Sequence, residues 1–530
     1  MKRTLLLSLL VAAAVLGACS RDELVPEESQ PEQARLKSIS VTVTTLVLPE
    51  GGTVTIPFSV KDPGFVFDQV RLQDTRGESP QWFTLKGFSK GEGAGIYEAT
   101  LSDNGSGEIY AQEVCLAIAT GPDSFVQSAF FTVRSQAADR PGMVRTGLPV
   151  VFVDTQNGQG VYSKTEYVTA TLSIAGNATY PGLQDVSCSI RGRGNTTWTW
   201  PKKPYLLKLD EKEHVLGMHK HKRWVLLANF MDRTLMRNLV SMHVASLTSL
   251  AWTPGCVPVE LVLNGKHLGS YLLIEQVRVD NHRVAITEMT DQDNSGEAVT
   301  GGYLLELDFH YDNEFQWKDH NIPFAVKYPD PEDLTSAQKT YIKNYIAQVS
   351  NAIYGADFAD PQKGYAQFLD VDSFVDEWIV YEVMCNHELG NPGSVYLHKD
   401  RSGKLVAGPV WDFDWGVLSF YTSNGANDLV NGRAIWYERL FQDPAFKAKV
   451  KARFQELLPQ LETIPDYMDA CEGLLEKSAQ LNFAMWNPAD DRSQNGGKII
   501  NGDENLSFHS AIQRLKENYT HHLGIIGKKL

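Results

Sequence analysis

The sequence predicts an α+β protein with more than one domain, and three observations support this fold class. Short runs rich in Val, Ile, Thr and Phe recur between Ser38 and Val133, at the spacing of about 8–12 residues that is typical of an antiparallel β-sandwich of immunoglobulin-like size. Further strand patterns occupy roughly residues 146 to 310. From about Asp333 the apolar residues recur with a helical period. A chain of 530 residues is long enough to form several hydrophobic cores.

Residues 1–18 are predicted to be a lipoprotein signal peptide. Two basic residues precede an apolar run over residues 5–16, which is too short to span a bilayer. The run ends in the sequence LGAC, which is similar to a bacterial lipobox, so we expect a lipid anchor on Cys19. An ordinary signal peptide with an incidental cysteine is the alternative. The polar, acidic residues 20–23 that follow resemble the signals that send some Gram-negative lipoproteins to the outer leaflet. The predicted location is therefore the bacterial (outer) membrane, on its periplasmic or cell-surface side.

Residues 19–36 are predicted to be a tether, because they are acidic, contain proline and show no apolar period. Residues 37–136 form the predicted immunoglobulin-like β-sandwich. No catalytic combination of side chains stands out in it, so we interpret it as a spacer, with glycan or protein binding as the alternative. After a linker that ends near Arg145, residues 146–530 form the main domain, in which a strand-rich half precedes a helix-rich half.

Composition excludes several classes of function. The net charge of −15 argues against a nucleic-acid partner, because neutralising phosphates requires clustered Lys and Arg. Of the six cysteines, the five after Cys19 are far apart and show no CxxC spacing, so we expect neither a metal cluster nor a disulfide scaffold. Buried free thiols are predicted, with one disulfide as the alternative. No later apolar run is long enough for a transmembrane helix, so the predicted membrane contact is the lipid anchor.

A predicted β-hairpin at residues 394–410 carries the most informative acidic residues. Glu388 precedes its first strand, and Asp412 and Asp414 follow its second strand among aromatic residues. Because the two ends of a hairpin lie close together, we expect Glu388 and Asp412 to face one cleft. Three interpretations of these carboxylates are open: hydrogen bonding or pairing with arginine, a Mg²⁺ site on the two aspartates, and general acid–base catalysis as in glycosidases.

A basic loop with the sequence RGRGN occupies residues 191–195, between two predicted strands. Small residues there let backbone amides approach an anionic ligand, and Arg191 or Arg193 adds positive charge. A solvated turn is the alternative. Lys208 lies in the apolar strand that follows, and Glu275, at the end of another apolar strand, is its predicted counter-charge. A purely structural ion pair is the alternative for this lysine.

Two further predictions concern the segment after this loop. Asp232 is a suitable N-cap for a helix, and Arg237 and Asn238 on that helix are interpreted as surface residues. A second hairpin is predicted to turn at Asn264-Gly265.

Six motifs follow one another between about residues 146 and 530: RGRGNTTW, KKPYLLKL, RWVLLANFMDRTLMRN, GSYLLIEQV, GGYLLELD and GPVWDFDWG. Their identity and order resemble the CotH (spore coat protein H) kinase family. The β-sandwich lies outside the resemblance. The resemblance implies an atypical protein-kinase-like domain of two lobes, which binds ATP and Mg²⁺ between the lobes and transfers phosphate to Ser or Thr of proteins.

The resemblance also implies which residues bind the nucleotide. Lys208 is similar to the phosphate-binding lysine, with Lys203 as the alternative, and Glu275 is the carboxylate that pairs with this lysine. The loop from Arg191 to Asn195 is similar to the phosphate-facing loop.

For the metal and the chemistry, the resemblance points to the residues around the hairpin. Asp412 is similar to the metal-binding aspartate, with Asp414 as a second ligand, and Glu388 is the carboxylate near the attacking hydroxyl. Many members have Asn-x-Asp where this chain has Asn386-His387-Glu388. Glutamate keeps the charge but is longer, and small displacements at a reacting centre change rates strongly.

The main prediction is a surface lipoprotein with an ATP- and Mg²⁺-dependent protein kinase domain. The alternatives are a non-catalytic protein for surface assembly or glycan binding, and a glycoside hydrolase that uses Glu388 and Asp412.

Overall fold

The computed structural model describes residues 38–49, 51–61, 65–104, 110–121, 124–135, 140–177, 179–310, 315–419, 427–487, 501–503 and 505–530. The predicted signal peptide, the predicted lipid anchor at Cys19 and the predicted tether lie outside the described residues. Among the helices that are described, none combines the length and the apolar character needed to cross a membrane.

The described residues form a mixture of strands and helices, as predicted. The strands are β1 (Ser38–Val41), β2 (Thr45–Leu48), β3 (Thr53–Lys61), β4 (Val70–Asp74), β5 (Phe83–Lys90), β6 (Ile96–Asp103), β7 (Ala111–Gly121), β8 (Ser124–Gln127), β9 (Phe131–Ser135), β10 (Val150–Thr155), β11 (Val168–Ala175), β12 (Leu183–Gly192), β13 (Tyr205–Glu213), β14 (His221–Leu227), β15 (Cys256–Leu263), β16 (Lys266–Glu275), β17 (Tyr303–Leu307), β18 (Gln316–Asp319), β19 (Ile322–Tyr328), β20 (Val395–Lys399) and β21 (Leu405–Ala407). The α-helices are α1 (Thr196–Thr199), α2 (Arg237–Ser246), α3 (Ser336–Tyr354), α4 (Val371–Val383), α5 (Tyr437–Leu440), α6 (Pro444–Leu461), α7 (Ile464–Met485) and α8 (Phe508–Lys529).

The first nine strands form two sheets. One sheet has the order β1-β3-β6-β5, and the other has the order β2-β9-β7-β4 with β8 paired to β7. Strand β3 shows the expected alternation, because Ile56, Phe58 and Val60 are buried while Thr55 and Pro57 are exposed. The buried residues of both sheets form one hydrophobic core, so this part of the chain is a sandwich of two sheets.

Strands β10 to β16 close into a barrel with the order β10-β11-β12-β13-β14-β16-β15, in which β10 and β15 pair in parallel. The interior is filled by alternate residues such as Leu207, Leu209 and Trp224. Residues at the intervening positions therefore lie on the outer face. There Leu206 and Val225 pack into the main hydrophobic core, which also contains residues of helices α2 to α8; we call the elements around this core the helix-bearing part. Apolar residues therefore occupy both faces of the same strands.

The helix-bearing part contains a five-stranded sheet with the order β18-β19-β17-β20-β21, which we call the second sheet because it lies after the barrel in the chain. It combines strands from two distant parts of the chain. Strand β17 pairs with β20, with Tyr303 opposite Lys399. The sequence placed residues up to about 310 in the strand-rich half. That boundary is wrong for β17, because its partners β19 and β20 belong to the helix-bearing part.

Both predicted hairpins are confirmed. Asn264 and Gly265 turn between β15 and β16 with φ angles of 51° and 72°, which is the left-handed conformation that two-residue hairpin loops require. Strands β20 and β21 pair with Leu397 opposite Ala407. The five cysteines in the described part of the chain are free thiols, as predicted: Cys115, Cys188, Cys256, Cys385 and Cys471.

Helix α4 buries a carboxyl group that makes the stability of the fold depend on pH. Glu377 is 1% exposed, and its side chain accepts a hydrogen bond of 2.9 Å from the Tyr437 hydroxyl. Burial raises the pKa of Glu377 to about 8, whereas the pKa of glutamate in an unfolded chain is about 4.3. The folded protein therefore holds this proton more tightly than the unfolded chain does.

We expect the free energy of unfolding to fall by about 1.4 kcal/mol for each pH unit between these two pKa values, because folding then requires proton uptake. Glu377→Gln, which stays neutral, is expected to remove this slope. Urea unfolding from about pH 5 to about pH 9 measures it, with Glu438→Gln on the exposed face of α5 as the matched control. Equal slopes for wild type and Glu377→Gln would contradict the assignment.

Candidate active site

A cavity of about 910 Å³ lies between the outer face of the barrel and the second sheet. Leu206 and Val225 of the barrel form part of one wall, and Glu306 and Tyr396 of the second sheet form part of the opposite wall. Its size is suited to a small-molecule ligand. Six carboxylates line it: Glu306, Asp308, Asp330, Glu388, Asp412 and Asp414.

The structure brings Glu388, Asp412 and Asp414 together in this cavity, where the hairpin geometry predicted that Glu388 and Asp412 meet. All three side chains are partly open to the cavity and otherwise surrounded by protein. Desolvation raises the pKa of Glu388 well above its usual value, and the charges of Asp412, Asp414 and Asp308 raise this pKa further. Desolvation also raises the pKa of Asp412 and, more strongly, that of Asp414. The cluster is therefore costly to ionise unless positive charge meets it.

Arg193 is the positive charge that the basic loop supplies to this cluster. Its charge counteracts the desolvation and lowers the pKa of both Asp412 and Asp414. The guanidinium lies 5.7 Å from the ring centroid of Trp411, which helps to fix its position. Arg193 therefore offsets the charge of two of the three carboxylates, and the cluster keeps an excess of acidic groups.

The cluster fits a magnesium ion that is completed by a phosphate ligand. Within the described residues, no group of three or more His, Cys, Asp or Glu side chains is arranged as a ready-made metal site. Mg²⁺ does not require such a group, because it is commonly held by one or two carboxylates together with substrate phosphates and water. Asp412 also has a φ of 65°, a conformation that is uncommon outside glycine and recurs at functional sites.

The loop that carries the aspartates is held by residues far away in the chain. The backbone N–H of Phe413 donates to Asn238 Oδ1 at 2.8 Å. Asn501 accepts from the backbone N–H of Gly416 at 3.0 Å and donates to the carbonyl of Asp414 at 3.2 Å. Two amide side chains therefore fix the backbone on both sides of Asp414.

Arg237 also holds the loop that carries the aspartates. Its buried guanidinium bonds to Asp232, to Asp503 at 2.8 Å and to the carbonyl of Val417 at 2.8 Å. The interpretation of Arg237 and Asn238 as surface residues is wrong, since both are at most 2% exposed. Asp232 is also not the N-cap of α2, which begins at Arg237. It accepts instead from the backbone N–H of Arg237 at 2.9 Å.

The basic loop lines the cavity, as a phosphate-facing loop is expected to do. Arg191, Arg193, Gly194 and Asn195 all contribute to the lining. Gly194 has a φ of +83°, and a Cβ there would lie 2.1 Å from Thr197 Oγ1. Only glycine therefore fits this position without rearrangement.

Three residues with predicted nucleotide-binding roles lie away from the cavity lining. Lys208 is on the exposed outer face of the barrel, and Lys203 Nζ donates to the carbonyl of Trp198 at 2.8 Å. The predicted pair between Lys208 and Glu275 is wrong. Glu275 is paired across the sheet with Trp224, whose side chain points into the barrel, so Glu275 also points inward while Lys208 points outward. The cation near Glu275 is instead Arg283, at 3.4 Å.

A lysine that sequence reasoning missed does reach the cavity. Lys327 Nζ lies 3.0 Å from Glu306. Glu306 is opposite Tyr396 in the sheet, and burial followed by the charge of Glu306 raises the pKa of Tyr396 well above its usual value. The available signal concerned the carboxylate partner of this lysine. The alternation in the GGYLLELD motif places Glu306 and Asp308 on one face of β17 and its continuation.

One similar solved structure is a chimeric titin Z1Z2-Z1Z2 tandem functionalized with a GRGDS exogenous peptide from fibronectin, at 13% sequence identity and a TM-score of 0.14, over 36% of this chain and 96% of that chain. A likeness at this level carries no argument. No curated protein matches the chain. Residues 190–519, more than half of the sequence, match the family described as CotH kinase protein. The chain therefore belongs to the CotH kinase protein family.

Proposed function

We propose that this domain is an atypical protein kinase that uses ATP and Mg²⁺ to phosphorylate Ser or Thr side chains of proteins. The observation that carries the proposal is the cluster of Glu388, Asp412 and Asp414, which faces Arg193 in one cavity. Phosphoryl transfer needs mainly positioning and positive charge over the phosphates, with a carboxylate near the attacking hydroxyl. The barrel and the part built on the second sheet act as the two lobes.

Each residue of the cluster has a role in this proposal. Asp412 and Asp414 hold Mg²⁺, which supplies positive charge over the phosphates. The Arg193 side chain and the backbone amides of residues 194 and 195 contact phosphate oxygens. Glu388 orients the acceptor hydroxyl and takes its proton while the hydroxyl oxygen bonds to the γ-phosphorus. The bond from the γ-phosphorus to the bridging oxygen breaks, and ADP leaves with that oxygen.

The position of the protein in the cell is also proposed. Lipidation of Cys19 anchors the chain to the outer membrane, and the acidic residues 19–36 act as a tether. The two-sheet sandwich that follows is an immunoglobulin-like spacer that holds the kinase domain away from the membrane. The net charge of −15 over the whole chain favours solubility and disfavours close contact with anionic lipid.

Mg²⁺–ATP is expected to raise the melting temperature of the wild-type protein, because a ligand at about 100 times its Kd stabilises the folded state by about 2.7 kcal/mol. Asp412→Asn is expected to abolish most of this increase. Without ligand the variant should melt no lower than wild type, since the substitution removes a charge that opposes Asp414.

Thermal shift with ATP alone, Mg²⁺ alone and both together measures this effect. Asp372→Asn on the exposed start of α4 is the matched control. An undiminished Mg²⁺–ATP response in Asp412→Asn would show that this aspartate does not hold the metal.

A further inference from the structure

A group of positive charges surrounds one tyrosine on the outer face of the barrel. We call it the Tyr167 patch, and it consists of Tyr167, Lys164, Arg191, Lys208 and Arg223. The charged ends of Arg191, Lys208 and Arg223 lie 5.1, 6.0 and 5.9 Å from the centroid of the Tyr167 ring. Arg223 also donates a hydrogen bond to the Tyr167 hydroxyl, and Arg191 donates to the backbone carbonyl of Lys164. Three cations therefore share one aromatic ring.

In the described part of the chain, the cations of the Tyr167 patch lack the close carboxylate partners that other cations of the barrel have. Among the described residues, none of the four forms an ion pair with a carboxylate. Other cations of the same barrel are paired, such as Lys212 with Asp280 at 2.7 Å and Arg283 with Glu275 at 3.4 Å. Unpaired like charges at this spacing repel one another, and an anionic ligand relieves the repulsion.

The patch is continuous with the cavity. Lys164 and Arg191 belong to both, since they also line the cavity. Arg191 is opposite Leu206, another cavity residue, in the pairing of β12 and β13. Lys208 lies two residues further along β13, which is about 7 Å in a strand. A polypeptide that presents a side chain to the cavity therefore has a direct path across the patch.

We propose that the Tyr167 patch binds an acidic segment of the protein acceptor, on one side of the Ser or Thr that enters the cavity. This inference rests on the proposed kinase function and adds a substrate class to it. The net charge of −15 disfavours long polyanions and anionic membranes. A short acidic peptide senses mainly the local cations, because charges beyond about 8 Å are screened at physiological ionic strength.

The test compares two synthetic peptides that share a central Ser, one with a flanking run of Glu and one with Lys at the same positions. Arg223→Glu is the key variant, since Arg223 does not line the cavity. Lys266→Glu is the matched control, because Lys266 is an exposed lysine of the same barrel that lies away from the patch. It is the first residue of β16, whereas the other end of that strand, at Glu275, pairs with β14 next to Arg223. Melting temperatures confirm that both variants fold.

Wild type is expected to phosphorylate the Glu peptide with the lower KM. Arg223→Glu should raise that KM about tenfold, the loss expected for one charge-assisted contact, while kcat and the KM for ATP stay unchanged. Lys266→Glu should match wild type. An unchanged peptide KM in Arg223→Glu, or an equal increase in the KM for ATP, would overturn the proposal.

A binding measurement separates failure of this inference from failure of the kinase function. Fluorescence anisotropy of a labelled Glu peptide, without ATP, should show binding that Arg223→Glu weakens and that salt reduces. If wild type transfers no phosphate, the kinase function fails and this measurement alone decides the patch. Equal binding by wild type and Arg223→Glu overturns the patch. Capture by phosphatidylserine vesicles but not by the peptide also overturns it, in favour of a membrane contact.

Discussion

Arg237→Ala is expected to lower the free energy of unfolding by about 3–5 kcal/mol, the usual cost of breaking a buried ion pair from one side. The guanidinium and both of its carboxylate partners, Asp232 and Asp503, are at most 2% exposed. Removing the arginine takes an ion-pair partner from two buried carboxylates and also leaves the carbonyl of Val417 without this donor. Chemical denaturation, monitored by tryptophan fluorescence, measures the loss.

Two further variants make the Arg237 experiment specific. Lys449→Ala removes a cation from an exposed ion pair with Asp372, and it should change stability little, because exposed pairs contribute little. Combining Arg237→Met with Asp232→Asn and Asp503→Asn should restore much of the stability, since no buried charge is then left unpaired. If the denaturation midpoint of Arg237→Ala equals that of wild type, the ion pairs of this arginine do not stabilise the domain.

The meeting of Glu388 with Asp412 was predictable because it depends on local structure. Turn residues mark the hairpin, and pairing of β20 with β21 brings its two ends together whatever the rest of the fold does. The basic loop was predictable for a similar reason, since its small residues interrupt two strand patterns. It begins in the last two residues of β12, and Gly194 has a φ of +83°. These features need only a short stretch of sequence.

The position of Lys208 was not predictable in this way. Leu206 and Leu207 are both buried, one in the main core and one inside the barrel. Apolar residues on both faces conceal which face is the interior, so the alternation that assigns a side chain to one face gives no signal. Closure of the barrel determines which face of β13 is the interior, and it places Lys208 on the outer face.

The supporting residues Arg237, Asn238 and Asn501 could not be assigned from the sequence either. Their partners are far away in the chain: Asn238 bonds to Phe413 and Arg237 bonds to Asp503, over separations of 175 and 266 residues. A polar pair at the start of a helix has the same local pattern whether it faces solvent or a buried loop. Only the tertiary fold distinguishes the two cases.

Glu388→Gln is expected to lower phosphate transfer by about 10²–10⁴-fold, the range for loss of a general acid–base group. Its amide cannot accept the proton of the acceptor hydroxyl. Binding of Mg²⁺–ATP should persist, because Asp412, Asp414 and Arg193 are unchanged. The Glu388 backbone is held independently, by a hydrogen bond of 2.9 Å from its N–H to Asn386 Oδ1, so the substitution should leave the surrounding turn intact.

Glu388→Asp tests the length of this side chain directly. It restores the residue that the family resemblance implies at this position and keeps the charge, so transfer should be retained or raised if an acceptor can approach closely enough. Asp330→Asn is the control, because Asp330 lines the same cavity but its side chain is 65% exposed. Transfer from γ-labelled ATP, measured in parallel with the Mg²⁺–ATP thermal shift, separates chemistry from binding. Equal transfer by wild type and Glu388→Gln would assign Glu388 a structural role in its turn. Binding without transfer in wild type and in Glu388→Asp alike would instead indicate a domain that holds the nucleotide without using it.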